Sequence, residues 1–333
     1  MENRLSNYRF RDTLKTYMMA AEPNTKEELL AGAAYWKDGE IQDTLFETFT
    51  FLPTPPYMYD EGGKRHLKKQ DFEHFLHQML FLPNYNVDAL EAAVEEVKKA
   101  LNRPEYRADV YLSLLYPRKE VSEFGEVNGR NLDFSNEEDR VASIQWLIDE
   151  EIRLFNSRKY QNIRLVGFYW FTEETKMAED SAMVQAVNAY IHSLGYVSMW
   201  SPYFHAQGWD KWRELGFDQG TMQPNYFSDT QLPNGGGIER LQAITEYVNR
   251  DLVGVEMELG TTRIPCVKVY KDYLRMGAQS GGYMSAYHVW YLCGGPKLIV
   301  ELLRSQDPYI HSVYHEMYRF LKRILKVEDI LEK

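Results

Sequence analysis

The sequence predicts an α/β protein of the (β/α)8 TIM-barrel class: a parallel eight-stranded barrel with outer helices. Two observations carry the prediction. Short apolar runs alternate with longer amphipathic stretches along the whole chain. Strands that are apolar on both sides mark a parallel sheet covered by helices. About eight such units in roughly 300 residues suit a closed barrel better than an open doubly wound sheet. The rival, an open Rossmann-type sheet, lacks its GxGxxG after the first strand.

The elements follow in order. "LKTYMMA" (14–20) reads as the first strand and "FETFTFLP" (46–53) as the second, followed by the aromatic loop "TPPYMYDEGG". Helical patterns cover 67–80 and 87–101, and "ADVYLSLLYP" (108–117) is the third strand. Asn136 caps a helix running to Arg158, with Glu137 and Glu138 in the first turn, where acids suit the helix dipole. "IRLVGFYWFTEE" (163–174) is the fourth strand, and helix 180–194 stops at Gly195. "YVSMWSPYF" (196–204) is the fifth, then a short helix at 209–215 and the sixth strand "FDQGTMQPN" (217–225). Helix 237–250, strand seven "DLVGVEMELG" (251–260), a helix near 266–279, strand eight "GGYMSAYHVW" (281–290) and a last helix at 307–326 complete the set. No linker or low-complexity stretch divides 1–333, so one barrel domain is expected. The longest irregular segments, 52–66, 117–135 and 226–236, follow strands two, three and six, where a barrel keeps its active-site loops.

Bulk properties narrow the function. A net charge of −11 argues against a general nucleic-acid binder and disfavours an anionic membrane surface or a strongly anionic substrate. Aromatics make up 14% of the chain, enough to supply flat faces for stacking as well as packing. Cys266 and Cys293 are too few for a structural zinc site or a disulfide framework. No apolar run is long enough to insert in a membrane, and "MENRLSNYRF" has no apolar signal core. A chain trimmed of a secretory signal would begin the same way, so localisation stays open, as does oligomeric state.

Barrel chemistry sits at the C-terminal strand ends. Those ends supply Tyr57, Tyr59 and Asp60 from strand two, Tyr116 and Arg118 from three, and Glu173 and Glu174 from four. Strand five adds Trp200, Tyr203 and His205; six adds Gln223, Asn225 and Tyr226; eight adds Tyr287, His288 and Trp290. Carboxylates and amides grip hydroxyls, and aromatic faces hold the apolar side of a pyranose. The expected sugar contacts are Trp200, Tyr203, His205, Asn225, Tyr226, Tyr287, Trp290 and Arg118. In "GVEMELG" (254–260), period-two geometry puts Glu256 and Glu258 on one face of strand seven. Alternation from Gly167 through Tyr169 and Phe171 turns Glu173 inward as well. Two carboxylates across one mouth are what glycoside hydrolysis needs: one protonates the leaving oxygen, the other attacks or activates water. A separation of about 5–5.5 Å means retention and a wider one inversion.

Other chemistries fit less well. His74/His77 and His311/His315 have metal-compatible spacing but belong to helices outside the barrel, and "TYMMAA" lacks the HxH of barrel metallohydrolases. "GAQSGG" (277–282) is no nucleophile elbow, and no GxxxxGK[ST] exists. No cofactor is expected. Glu256 and Glu258 could instead pair with Arg118 or Lys268, and Trp209 and Trp212 are expected in the core.

"GFYWFTEE" on strand four and "GVEMELG" on strand seven resemble the retaining glycoside hydrolase barrels that carry their acid/base and nucleophile at those two strand ends. That resemblance implies Glu173 as acid/base and Glu258, with Glu256 as the alternative, as nucleophile. Those enzymes usually have Asn before the acid/base; here Thr172 stands there. "GFYW" (167–170), "WSPYFHAQGWDKWRELGFD" (200–218), "QPNYF" (223–227) and "GVEMEL" (254–259) resemble the bacterial domain-of-unknown-function family 4855 over most of the chain after about residue 100. This second likeness implies a glycosidase-like barrel and supplies no reaction. The expectation is therefore a two-carboxylate glycosidase acting on a neutral or basic carbohydrate. The alternatives are a non-catalytic carbohydrate-binding barrel and a metal-dependent enzyme using Glu256 and Glu258.

Overall fold

The computed structural model describes residues 8–19, 21–54, 66–226 and 236–333. Eight strands close into a parallel ring in chain order: β1 (Thr13–Met18), β2 (Thr48–Pro53), β3 (Ala108–Leu114), β4 (Ile163–Trp170), β5 (Val197–Trp200), β6 (Gln219–Met222), β7 (Gly254–Leu259) and β8 (His288–Leu292). β1 pairs with both β2 and β8, which seals the ring and leaves no free sheet edge. Around it stand α1 (Lys26–Ala33), α2 (Lys69–His74), α3 (Asn86–Ala100), α4 (Glu137–Arg158), α5 (Met177–Ser193), α6 (Glu239–Asn249), α7 (Ile264–Ala278), α8 (Pro296–Arg304) and α9 (Pro308–Leu321).

Local chemistry sets the helix ends. The Asn136 side chain accepts from the Glu138 amide at the start of α4. Thr25 and Glu28 cap α1 reciprocally. Pro stands in the first turn of α7, α8 and α9, where its missing N–H costs nothing. Two helices, α1 and α8, and two short hairpins (34–44 and 125–132) exceed the sequence expectation. Strands five and six are shorter than expected because Pro202 and Pro224 follow them, and proline cannot donate to a ladder.

Strand eight needs correction. Residues 279–287 form turns, with Gly281 at φ +74° and the Gly282, Met284 and Ala286 amides bonded locally. The strand therefore starts at His288 and runs on through Tyr291 and Leu292. Tyr287 and His288 thus lie at its N-terminal end, on the far side of the barrel from the mouth.

Side chains divide by the two-residue period. Leu14, Phe49, Phe51, Val110, Leu112, Val255, Met257, Leu259 and Trp290 join the large core between ring and helices. Leu52, Tyr111, Val166, Tyr169, Val197 and Met199 fill the interior, with Tyr8, Phe10 and Tyr287 packed beneath them. Gly167 in β4 is required by close approach: a Cβ there would lie 2.1 Å from the Val197 carbonyl oxygen. Below the ring, Asp12 binds Arg323 through both oxygens (2.8 and 2.9 Å) and receives the His288 backbone N–H. Burial opposes its ionisation, but His288 and Arg323 hold the Asp12 carboxyl down at about 2.

A buried carboxyl group on α4 lacks compensation. Glu151 on α4 is fully buried and neither carboxyl oxygen has a hydrogen-bond partner. Burial pushes its pKa well above the ordinary 4.5. The stability associated with its neutral form is complete below that ordinary value and is lost as pH rises through the raised folded value. Replacing Glu151→Met should stabilise the protein by about 1–3 kcal/mol near pH 8. The gain should shrink toward pH 4, read as the difference in denaturation midpoints; a constant or negative difference would contradict this.

Candidate active site at the barrel mouth

Building upward from the middle of the ring, the first polar layer is an ion pair. Lys15 on β1 reaches Glu256 on β7 at 2.6 Å, with the two side chains 1% and 2% exposed. Alternation makes this possible: Leu14 and Thr16 flank Lys15 in the sequence but face outward, and Val255 and Met257 do so around Glu256. Burying two ions costs several kcal/mol each unless the geometry and further hydrogen bonds return it. Those bonds exist. Ser201 donates to the same Glu256 oxygen at 2.5 Å, and Thr221 donates to Ser201 at 2.7 Å. The Lys15 ammonium also lies 5.4 Å from the centre of the Tyr169 ring. Burial alone would lower the Lys15 pKa, but the Glu256 charge raises it above the ordinary ammonium value. Burial likewise raises the Glu256 carboxyl, while Lys15 opposes the rise.

One layer higher, Glu258 is 2% exposed and forms no ion pair among the described residues. It accepts from the Tyr273 hydroxyl on α7, from the Tyr226 amide at 3.3 Å and from the Asn225 side chain at 3.5 Å. Burial, then the neighbouring Glu256 charge, pushes its carboxyl up to about 8. The Tyr273 hydroxyl also lies 3.3 Å from the Tyr226 carbonyl, so it can donate there while its oxygen accepts from the O–H of a protonated Glu258.

Across the mouth, Glu173 lies three residues past β4 and is half-buried. It accepts from Gln223 at 2.8 Å. Gln223 in turn accepts from Asn225 at 3.2 Å, so two amides link Glu173 to Glu258. Asn225 holds this position with a left-handed backbone, φ +49°, which asparagine tolerates better than most residues. Thr172 presents its carbonyl to the Trp200 indole N–H at 2.7 Å. Tyr203, exposed at the rim, donates to Glu174. Tyr17 and Tyr291, half-buried at the ends of β1 and β8, meet edge to face at 5.6 Å.

The expected sugar contacts separate. Asn225, Tyr226 and Tyr203 share the mouth with Glu173, Glu256 and Glu258. Trp200 and Trp290 are 1% and 0% exposed and face the helices, Trp200 on Phe217 and Trp290 on Phe46 and Phe320. An odd-even shift explains both: their neighbours Met199 and Tyr291 take the inward positions. Tyr287 lies beneath the interior, its hydroxyl 3.0 Å from that of Thr13, and His288 sits on Asp12. His205 bonds Tyr247 of α6 at 2.8 Å and stacks on Phe204, outside the ring. Arg118 lies over Tyr116, 5.9 Å from the ring centre, and the cation that meets Glu256 is Lys15. Tyr57, Tyr59 and Asp60 fall outside the described residues. Trp212 is core, as expected, with its indole N–H on the Leu252 carbonyl.

Lys15, Ser201, Thr221 and Tyr273 were not anticipated. For Lys15 a signal existed: a lysine in mid-strand in "TLKTYM" needs an acid inside the barrel. Metal binding finds little support from the donor set. Glu256 is engaged by Lys15 and Ser201, and among the described residues no three His, Cys, Asp or Glu side chains converge as a metal site requires. No helix among the described residues is long and apolar enough to cross a membrane.

A family model described as a domain of unknown function, DUF4855, matches residues 19–319. No curated protein matches the sequence. Among solved structures, the chain is similar to a GH18 chitinase from Pseudoalteromonas aurantia, at 9% identity and a TM-score of 0.42, over 92% of this chain and 99% of that one. It is also similar to an alpha-amylase from Malbranchea cinnamomea, at 11% identity and 0.43, over 94% and 76%. A third likeness is to a dihydroorotase, at 9% identity and 0.35, over 95% and 70%. Likeness at this level says nothing of substrate or mechanism.

Removing one partner of the buried pair leaves a bare charge inside the barrel. Lys15→Met should cost about 3–5 kcal/mol of stability. Lys15→Met combined with Glu256→Met should recover most of it in a denaturant double-mutant cycle. Additive losses would contradict the pairing.

Proposed function

The chain belongs to the DUF4855 family, and from the carboxylates at its barrel mouth we propose a glycoside hydrolase cleaving a neutral or basic carbohydrate between Glu173 and Glu258. The observation that carries the reading is the linked pair itself: carboxylates from β4 and β7 joined through Gln223 and Asn225 above the Lys15–Glu256 pair. Such a site needs one carboxyl bearing a proton and one partner acting on the anomeric carbon. Burial and the Glu256 charge support Glu258 as the proton bearer near neutral pH, since they push it up to about 8. It would protonate the leaving oxygen. Glu173, fixed by Gln223 at the rim, would attack the anomeric carbon or activate water there.

This division of labour is the reverse of the one the strand-four and strand-seven resemblance implies. It follows from burial of Glu258 together with the charge of Glu256 one layer beneath it. Glu256, committed to Lys15 and Ser201, is left as a positioning residue. Tyr203, Tyr226, Tyr17 and Tyr291 offer aromatic faces around the same opening, and Asn225 a hydroxyl contact. The acidic chain favours an uncharged or cationic sugar over an anionic one.

A panel of aryl glycosides and polysaccharides tests the reading. Glu173→Gln and Glu258→Gln should each lower kcat/KM by about 10²–10⁴ on the substrate the wild type turns over. Wild-type kcat/KM should fall as pH rises through about 8, where Glu258 loses its proton, and Glu258→Gln should lack that limb. Equal turnover by wild type and both variants would remove the pair from the mechanism.

A further inference from the structure

At the opposite end of the ring, where the strands begin, lies a cavity of about 600 Å³. Four guanidinium groups line it: Arg9 and Arg11 ahead of β1, Arg107 ahead of β3 and Arg164 at the start of β4. One carboxylate, Asp109, shares the lining. This concentration of positive charge stands out in a chain with 49 acidic against 38 basic residues.

The four arginines are not equivalent. Arg164 is tied to Asp109 at 2.7 Å, and Tyr8 donates to the other oxygen of Asp109 at 3.1 Å. Arg11 is paired with Glu47 at 2.8 Å. Arg9 and Arg107, both exposed, have no ion-pair partner among the described residues. Repulsion among like charges around one cavity is a cost that the described carboxylates relieve at two of the four positions. The remaining two forks face a space of the size that holds small ligands, roughly 300–1,000 Å³.

We propose that this cavity binds a phosphate- or sulfate-type oxyanion carrying at least two negative charges, with Arg9 and Arg107 as its principal donors. Guanidinium forks match the oxygens of such groups in bidentate fashion, and Arg164, oriented by Asp109, adds a third positive edge. The site is separate from the mouth. Phe10 and Tyr8 pack edge to face at 5.0 Å, and Phe10 meets Tyr287 at 5.8 Å, which closes the interior from below. The proposal therefore stands or falls without the glycosidase reading.

Calorimetric titration of the full chain with inorganic pyrophosphate, and separately with a sulfated disaccharide, tests it. Wild type should bind at least one of the two at a single saturable site, and added salt should weaken the binding. The double variant Arg9→Ala/Arg107→Ala should bind at least about tenfold more weakly, while its thermal midpoint and any activity at the mouth stay at wild-type values. Arg164→Lys, which keeps the charge and loses the fork, should fall between the two. Tighter binding of pyrophosphate assigns the ligand to phosphate compounds and tighter binding of the disaccharide to sulfated sugars; either supports the site. No saturable binding of either anion by wild type, or unchanged binding by the double variant, overturns the proposal.

Discussion

The Lys15–Glu256 pair is the constraint on which the mouth depends. A lysine and a glutamate sit inside a barrel whose interior also holds Leu52, Tyr111, Tyr169 and Met199, at a contact of 2.6 Å and almost no exposure. Neither ion could stay there alone. Their demand for partners explains the small hydroxyl residues at this level: Ser201, just past β5, and Thr221 in β6 continue the hydrogen bonds where apolar side chains would leave the carboxylate short of donors. It also fixes the state of the next layer. With a charge already spent on Glu256, a second carboxylate directly above meets repulsion as well as burial, and Glu258 is driven toward its protonated form.

Much of this was legible in the sequence. The barrel followed from strand and helix taking turns, and the inward face of strand seven followed from two glutamates spaced by two in "VEMEL". Glu173 meets Gln223 from three residues past β4, beyond the reach of strand alternation. What could not be read was which inward residue met which. Lys15 and Glu256 are 241 positions apart, and ring closure alone brings them together. Trp200 and Trp290 illustrate the converse: large aromatics near strand ends look like sugar platforms, but a one-residue change of phase turns them to the helices. Strand eight failed at its start because "GGYMSAY" has strand-like composition, whereas the left-handed Gly281 commits it to a turn. Tyr273 was hidden because it comes from a helix, outside the strand-end rule.

The two ends of the ring are chemically opposed. The mouth gathers acids, amides and tyrosines around the buried Lys15 ammonium. The base gathers arginines around the buried carboxylates of Asp12 and Asp109. Packed aromatics separate them, so each end can be altered without electrostatic damage to the other. That division makes each reading testable on its own.

The most direct measurement is the leaving-group dependence of Glu258→Gln. A glycoside whose aryl group departs as a stable anion, such as a dinitrophenolate, needs no proton; a phenyl glycoside does. The variant should therefore retain most of its wild-type rate on the dinitrophenyl substrate while losing it on the phenyl one. Equal losses on both would contradict the assignment of the proton to Glu258 and return it to the nucleophilic role that the strand-seven resemblance implies.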